Sequence, residues 1–334
     1  MLHLTYLTTR DYPPGHNREQ AVAESILSAP HFQDERAAFE YVEARLWPNG
    51  PVCPFCGASG DKIGALKGKT TRPGLRKCYA CKKPFTVRMG TIFESSHLPL
   101  RLWLQVIYLM CASKKGISTR QIQRMLQCSM KTAWFLGHRI RLAMAPGTDA
   151  APIGGGGKTV EADETYLAKS PKTRKPEGTP LHARNEPQVM SLIERGGNIR
   201  SMYLDDKNIR EALDEHLDER SRLVTDGSQS YKLYMPTPEQ HESVDHSKYE
   251  WKRGDAHTST LEGFFSIFKR GLVGVYQHMD KKHLDRYLAE FDFRMNTREK
   301  LKINDARRAD IALSGVKGKH LAYRRPDEAE ARCA

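Results

Sequence analysis

The sequence predicts a multidomain α+β chain in which a cysteine-stapled metal module, a basic helical module and a mixed α/β domain follow one another. Three observations predict it. Two CxxC pairs fall in a stretch short of apolar residues, a helical stretch follows without a single acid, and beyond a run of four glycines strand and helix patterns alternate. The 334 residues, 39% of them hydrophobic, suffice for two or three domains of ordinary size. No apolar run approaches the roughly 18 to 20 residues of a membrane span, and the N-terminus lacks the basic-then-apolar order of a secretion signal. The expectation is a cytoplasmic protein with no membrane partner.

Residues 1–45 form an N-terminal helical segment, with apolar residues at helical spacing over 17–27 and 34–46, and we assign it a packing role. Residues 46–90 are rich in Gly, Pro, Cys and Lys and cannot bury a core without a staple. Cys53-Pro-Phe-Cys56 and Cys78-Tyr-Ala-Cys81, 21 residues apart, supply one. Each CxxC turn aims two thiolates at one point, so Cys53, Cys56, Cys78 and Cys81 complete a tetrahedral zinc site with no open position, which makes the zinc structural. The alternatives are a redox dithiol, which needs only one CxxC, and a disulfide scaffold, which an odd count of seven cysteines without an export signal disfavours.

Residues 91–145 read as a helix-turn-helix region. The net charge of +13 is concentrated here: residues 51–145 hold 17 basic and 2 acidic side chains, and 101–145 hold no acid at all. Such one-signed charge points to a polyanion, most simply DNA. A short helix capped by Ser118, a turn at Gln127-Cys128-Ser129 and a longer helix over 130–144 capped by Ser129 have the order of a helix-turn-helix, with a helix over 102–112 packed behind. Ala133, Trp134, Leu136, Ile140 and Leu142 are its core candidates, and Lys131, His138, Arg139 and Arg141 are placed outward. Arg120, Lys131, Arg139 and Arg141 are the expected DNA contacts. The plainer alternative is a helical bundle with an incidentally basic face.

Residues 146–157 read as a flexible Gly-rich linker. In the domain spanning 158–300 the patterns give a strand at 159–167 and a hairpin of 187–194 with 198–204 around Gly196-Gly197. A helix at 208–217, a short buried strand at 222–225, a helical turn at 228–235 and a strand at 242–245 follow, then two strong helices at 258–272 and 281–296. Residues 301–334 read as a basic C-terminal tail.

Three acids stand where such elements could bring them together. Asp163 lies in the first strand, sharing a face with Glu161, while Val160, Ala162 and Glu164 take the other. Asp226 directly follows Leu223-Val224-Thr225, and Glu262 lies in the first turns of the Phe-rich helix. Converging carboxylates repel unless divalent cations join them, and two such ions could run phosphoryl transfer. Lys269, seven residues after Glu262, falls on the same helical face, in a polar stripe with Ser259 and Ser266. By spacing alone, other acids could make other triples.

These motifs together resemble the DDE transposases of bacterial insertion sequences, in the ISXO-like group that bears an N-terminal zinc ribbon and is related to Merlin transposons. The resemblance is carried by the two CxxC pairs, Val160-Glu-Ala-Asp-Glu-Thr-Tyr166, Val224-Thr-Asp-Gly227, His257-Thr-Ser-Thr-Leu-Glu-Gly-Phe-Phe-Ser266 with Lys269-Arg270-Gly271, and the stretch from His283 to Arg294 with Asn296 and Arg298. It implies an RNase H-like catalytic domain in which Asp163, Asp226 and Glu262 hold two Mg²⁺ or Mn²⁺ ions and Lys269 assists. Many relatives have Asn where this chain has Ser259, so Ser259 competes for the third position; as a poorer ligand it favours Glu262 or marks an impaired copy. The implied function is binding of the element's terminal inverted repeats, strand cleavage and transfer to target DNA, by a homo-oligomer at the bacterial nucleoid. Two other functions fit the same residues: an RNase H-like nuclease or resolvase without strand transfer, and a DNA-binding regulator with an inactive catalytic domain.

Overall fold

The computed structural model describes residues 25–147, 150–167, 187–204, 208–228, 231 and 240–321. The expected helix at 17–27 falls mostly outside these residues, as does most of the helical turn at 228–235.

The N-terminal half is built on helices. Pro30–Gln33 (α1) leads into Glu35–Leu46 (α2), whose first turn is capped by the Asp34 side chain accepting from the Ala37 N–H. Then come three short antiparallel strands, Ile63–Ala65 (β1), Arg76–Cys78 (β2) and Pro84–Phe85 (β3). Leu100–Ala112 (α3), Thr119–Leu126 (α4) and Met130–Met144 (α5) follow. Ser118 and Ser129 cap α4 and α5 as the sequence predicts, each accepting from the N–H three residues on. Gln127, left-handed at φ +50°, turns the chain between them.

The C-terminal half is a five-stranded mixed sheet. Its strands are Thr159–Tyr166 (β4), Gln188–Glu194 (β5), Ile199–Leu204 (β6), Arg222–Asp226 (β7) and Gln240–Val244 (β8), in the order β6-β5-β4-β7-β8. β4, β5 and β6 run antiparallel, whereas β7 is parallel to β4 and β8 to β7. Strand alternation in β4 sends Val160 and Ala162 to one face, against Ile209, Ala212 and Leu213 of helix Ile209–His216 (α6). The opposite face packs Val189, Ile193 and Ile199 under Leu261, Phe264, Phe265 and Phe268 of Ser259–Gly271 (α7) and Leu288 and Phe291 of Leu284–Asn296 (α8).

Three expectations need correction. The glycine run is docked rather than a free linker. The Ile153 N–H donates to His216 O at 2.7 Å, and the Asp218 N–H donates back to Ile153 O at 2.9 Å. Gly154, at φ +104°, lies so close to Ser221 that a Cβ there would meet its Oγ at 2.0 Å. Nor are residues 301–321 a tail: Asp305–Ser314 (α9) returns to the N-terminal core, where Ala312, Leu313 and Val316 pack with Leu46, Trp103, Met110 and Ile140. Residues 322–334 lie outside the described part.

The third correction concerns α5. Arg139 and Arg141 do not face solvent, because α5 is wedged between that helical core and α8. The Arg139 guanidinium donates to the carbonyls of Ile92, Glu94 and Leu321. Arg141, 1% exposed, binds Glu290 of α8 at 2.6 Å, and Arg294 and the Tyr276 hydroxyl bind the other carboxylate oxygen of Glu290. His138 is buried too, whereas Trp134 and Leu142, expected in the core, are only half-buried. Burial alone would push the Glu290 carboxyl up; Arg294 and Arg141 hold it down at about 2 instead.

Glu290→Gln would leave two buried guanidinium groups without their counter-charge. It should cost about 3–5 kcal/mol of stability in denaturant unfolding near neutral pH. A loss below about 1 kcal/mol would show that Glu290 does not hold this seam.

Candidate active site and zinc centre

The four expected cysteines come together. Cys53 and Cys56 sit on a turn closed by the Gly57 N–H donating to Cys53 O, with Gly57 at φ +73°, while Cys78 ends β2 and Cys81 sits on the turn after it. Cys53 and Cys81 sulfurs are 3.7 Å apart, those of Cys56 and Cys78 3.6 Å, and all four lie within 4.8 Å of one another. Sulfurs at the corners of a tetrahedron with Zn–S bonds of about 2.3 Å are separated by roughly 3.8 Å. The cluster therefore fits zinc, with Phe85 fully buried beside it as the main apolar support.

On the sheet, the parallel pairing of β4 with β7 sets Glu161 opposite Val224. The same step carried two residues on brings Asp163, in the middle of β4, to the level of Asp226, the last residue of β7. Burial raises the Asp163 carboxyl to about 7, with Asp226, Glu164 and Glu262 adding repulsion and the Glu164 N–H, donating at 2.8 Å, opposing it. Asp226 Oδ1 accepts the Ser228 N–H at 3.0 Å. Glu262, on the first turn of α7, is half exposed and lies 3.8 Å from His246 Nδ1. Among the described residues only the cysteines bring three ligand atoms within 4.8 Å of one another; the three carboxylates do not.

The expected polar stripe of α7 is present. Ser259, Glu262, Ser266 and Lys269 are exposed, while Leu261, Phe264, Phe265 and Phe268 are buried. Ser259 Oγ is bonded to His257 Nδ1 at 2.8 Å. Of the four expected DNA contacts, Arg120 and Lys131 are exposed; Arg139 and Arg141 are spent on internal bonds.

Sequence reasoning missed the parts that aim α7. Glu161, fully buried on the same sheet face as Asp163, accepts from the Thr260 N–H and hydroxyl at 3.1 and 2.9 Å, and from Arg195 Nε at 2.9 Å. Arg195, on the β5–β6 turn, also donates to the carbonyls of Asp255 and His257. A carboxylate at the positive end of a helix, tied to a guanidinium that grips the preceding loop, fixes where Glu262 stands. Only the alternation of Glu161 with Asp163 hinted at this; Arg195 gave no local signal. Glu164, on the other face, accepts from the buried Tyr231 hydroxyl at 2.6 Å.

A four-cysteine module that fits zinc stands ahead of a mixed sheet with acids on adjacent strands, and comparison with known proteins gives the family. Residues 33–84 match a family model described as a transposase zinc-ribbon domain, and residues 154–296 match one described as an ISXO2-like transposase domain. The chain carries both and belongs to that family of insertion-sequence transposase proteins. It is similar to an uncharacterized protein in transposable element ISH50 of Halobacterium salinarum, with 27% identity over 281 residues that cover 79% of this chain and 91% of that protein.

Two outcomes follow from this geometry. Purified chain should carry about one zinc, and chelation should open residues 47–93 to protease; elemental analysis finding no zinc in protein kept from chelators would refute it. Asp163, raised above its unfolded value near 3.9, gives stability that is fully present below about pH 4 and lost as pH rises through about 7. Without added divalent metal, Asp163→Asn should therefore raise Tm by several degrees near pH 8 and progressively less toward pH 4. A gain independent of pH would contradict the assignment.

Proposed function

We propose that the chain is an active transposase that binds the terminal inverted repeats of its element, cleaves DNA strands and joins them to target DNA. The observation that carries this is Asp163 level with Asp226 on neighbouring strands, with Glu262 within electrostatic reach, in a chain with a transposase domain. The strand order β6-β5-β4-β7-β8, three antiparallel and then two parallel, supports an RNase H-like catalytic domain.

In this proposal Asp163, Asp226 and Glu262 hold two Mg²⁺ or Mn²⁺ ions. Their mutual repulsion is what divalent cations would relieve. When bound, such ions lower the pKa of the attacking hydroxyl or water and stabilise the leaving oxygen. The protein's own groups then position DNA. Lys269, two turns along α7 from Glu262 and exposed on the same face, holds a phosphate and balances its charge. Glu161 and Arg195 keep α7 in place. The hydroxyl of Ser259 is already engaged by His257, which favours Glu262 as the third ligand. Arg120 and Lys131 remain the DNA contacts of a helix-turn-helix made by α4 and α5, with the zinc ribbon beside it, and the working form is a homo-oligomer at the nucleoid.

Asp163→Asn, Asp226→Asn and Glu262→Gln should each reduce cleavage of DNA bearing the element's ends to background, with binding nearly unchanged. Lys269→Ala should lower strand transfer by about a hundredfold without loss of metal. Glu164→Gln is the control, because Tyr231 rather than a metal occupies its carboxylate. Near-normal joining by Glu262→Gln would sink the triad, and cleavage without joined products would identify a nuclease instead.

A further inference from the structure

Beside the carboxylates stands a loop whose most prominent side chains lie largely in solvent. Between β8 and α7, Tyr249 is 85% exposed and Trp251 60%, the two most exposed aromatic side chains among the described residues. Leaving two large rings in water forgoes burial that a protein normally exploits, so a pair presented together marks a contact surface.

The loop is built to present them. The Asp245 side chain accepts from the Ser247 N–H, and the N–H groups of Lys248 and Glu250 both donate to Asp245 O at 3.0 and 3.1 Å. Glu250 binds Arg253 through both carboxylate oxygens at 2.7 and 2.6 Å, and Arg253 and Ala256 exchange two backbone bonds around Gly254. Tyr249 is held left-handed at φ +62°, which a tyrosine adopts only when its neighbours impose it.

Trp251 is also tied to the site. Its ring lies 4.8 Å from that of His246, whose Nδ1 is 3.8 Å from Glu262. One side chain thus separates the exposed indole from the third carboxylate. Lys248, which pairs with Asp245 at 3.1 Å, and Lys252 are the exposed sequence neighbours of the two rings. Exposed aromatic faces with lysines next to them in the loop suit an unpaired nucleotide, whose base offers a π-face and whose backbone offers phosphate; paired bases inside a duplex offer no free face.

We propose that Tyr249 and Trp251 form a stacking platform for unpaired bases of the DNA strand whose end enters the carboxylate site. The proposal rests on the carboxylates being that site. It adds a requirement that the metal ligands alone do not impose: the terminal nucleotides must leave the duplex, and the loop holds them once they have. Stacking of this kind tolerates any base, so the platform registers strand ends rather than sequence.

The test uses the full zinc-loaded chain without added magnesium, so that binding is read apart from cleavage. A blunt duplex is compared with the same duplex carrying a short single-stranded tail, and with a tail of abasic nucleotides. The base-bearing tail should tighten binding about tenfold and quench tryptophan fluorescence; the abasic tail should do neither. Trp251→Ala with Tyr249→Ala should lose the tail's increment while keeping duplex affinity and thermal stability, and Trp251→Phe should retain most of it. An unchanged increment in the double variant, or an abasic tail that binds as well as the intact one, would overturn the proposal. So would loss of self-association in the double variant with the increment kept, since the rings would then face a second copy. If Asp163→Asn still cleaves while the double variant loses the increment, the catalytic reading fails and the base-binding surface stands.

Discussion

A carboxylate with no solvent exposure is tolerable among aromatic rings only if cations neutralise it, and Glu290 draws its cations from both halves of the chain. Arg141 comes from the basic helices, Arg294 from its own helix one turn on, and the hydroxyl of Tyr276 completes the set. The Arg141 guanidinium also lies 4.2 Å from the Tyr287 ring centre. Because each group is buried at the expense of its hydration, none can be withdrawn singly, and the two halves are locked in one relative placement. α8 covers the same sheet face as α7, so the arginine of the N-terminal half bears on the frame that carries the carboxylates.

Much of this was legible in the sequence where the information is local. The serine caps of α4 and α5, the paired cysteines and the alternation of β4 depend on residues a few positions apart, and each expectation falls within a residue or two of the observed element. What could not be read depends on distant partners. The run from His138 to Arg141 reads as a basic surface because nothing nearby says that α8 will bring Glu290 to it, 149 residues later. The glycines at 154–157 carry the composition of a loose linker, yet Gly154 is small because Ser221 sits where a side chain would go. The same composition serves freedom and close approach, and only the partner distinguishes them.

The candidate site divides along the same line. Asp163, Asp226 and Glu262 could be named because the strand and helix pattern allows them to converge and the resemblance to DDE transposases singles them out from other possible triples. Glu161 and Arg195 could not, since their work is done across the sheet: one neutralises the other while holding the first turn of α7. A carboxylate close to Asp163 in sequence thus has the opposite fate. Glu161 meets a guanidinium and is satisfied, whereas Asp163 lies among other acids and its carboxyl is pushed up.

The return of α9 to the N-terminal helices bears on how the protein is made. Tyr41 and Arg45 bind Asp310 across 269 and 265 residues of chain, and Leu313 and Val316 fill the core that α2, α3 and α5 begin. During synthesis that core stays open until nearly the whole polypeptide has left the ribosome, and closing so long a loop is entropically slow. The sheet domain, whose strands and covering helices lie within residues 159–296, can gather first. A copy interrupted late in its coding sequence would therefore retain the residues of the carboxylate site yet lack the piece that seals the zinc-bearing half.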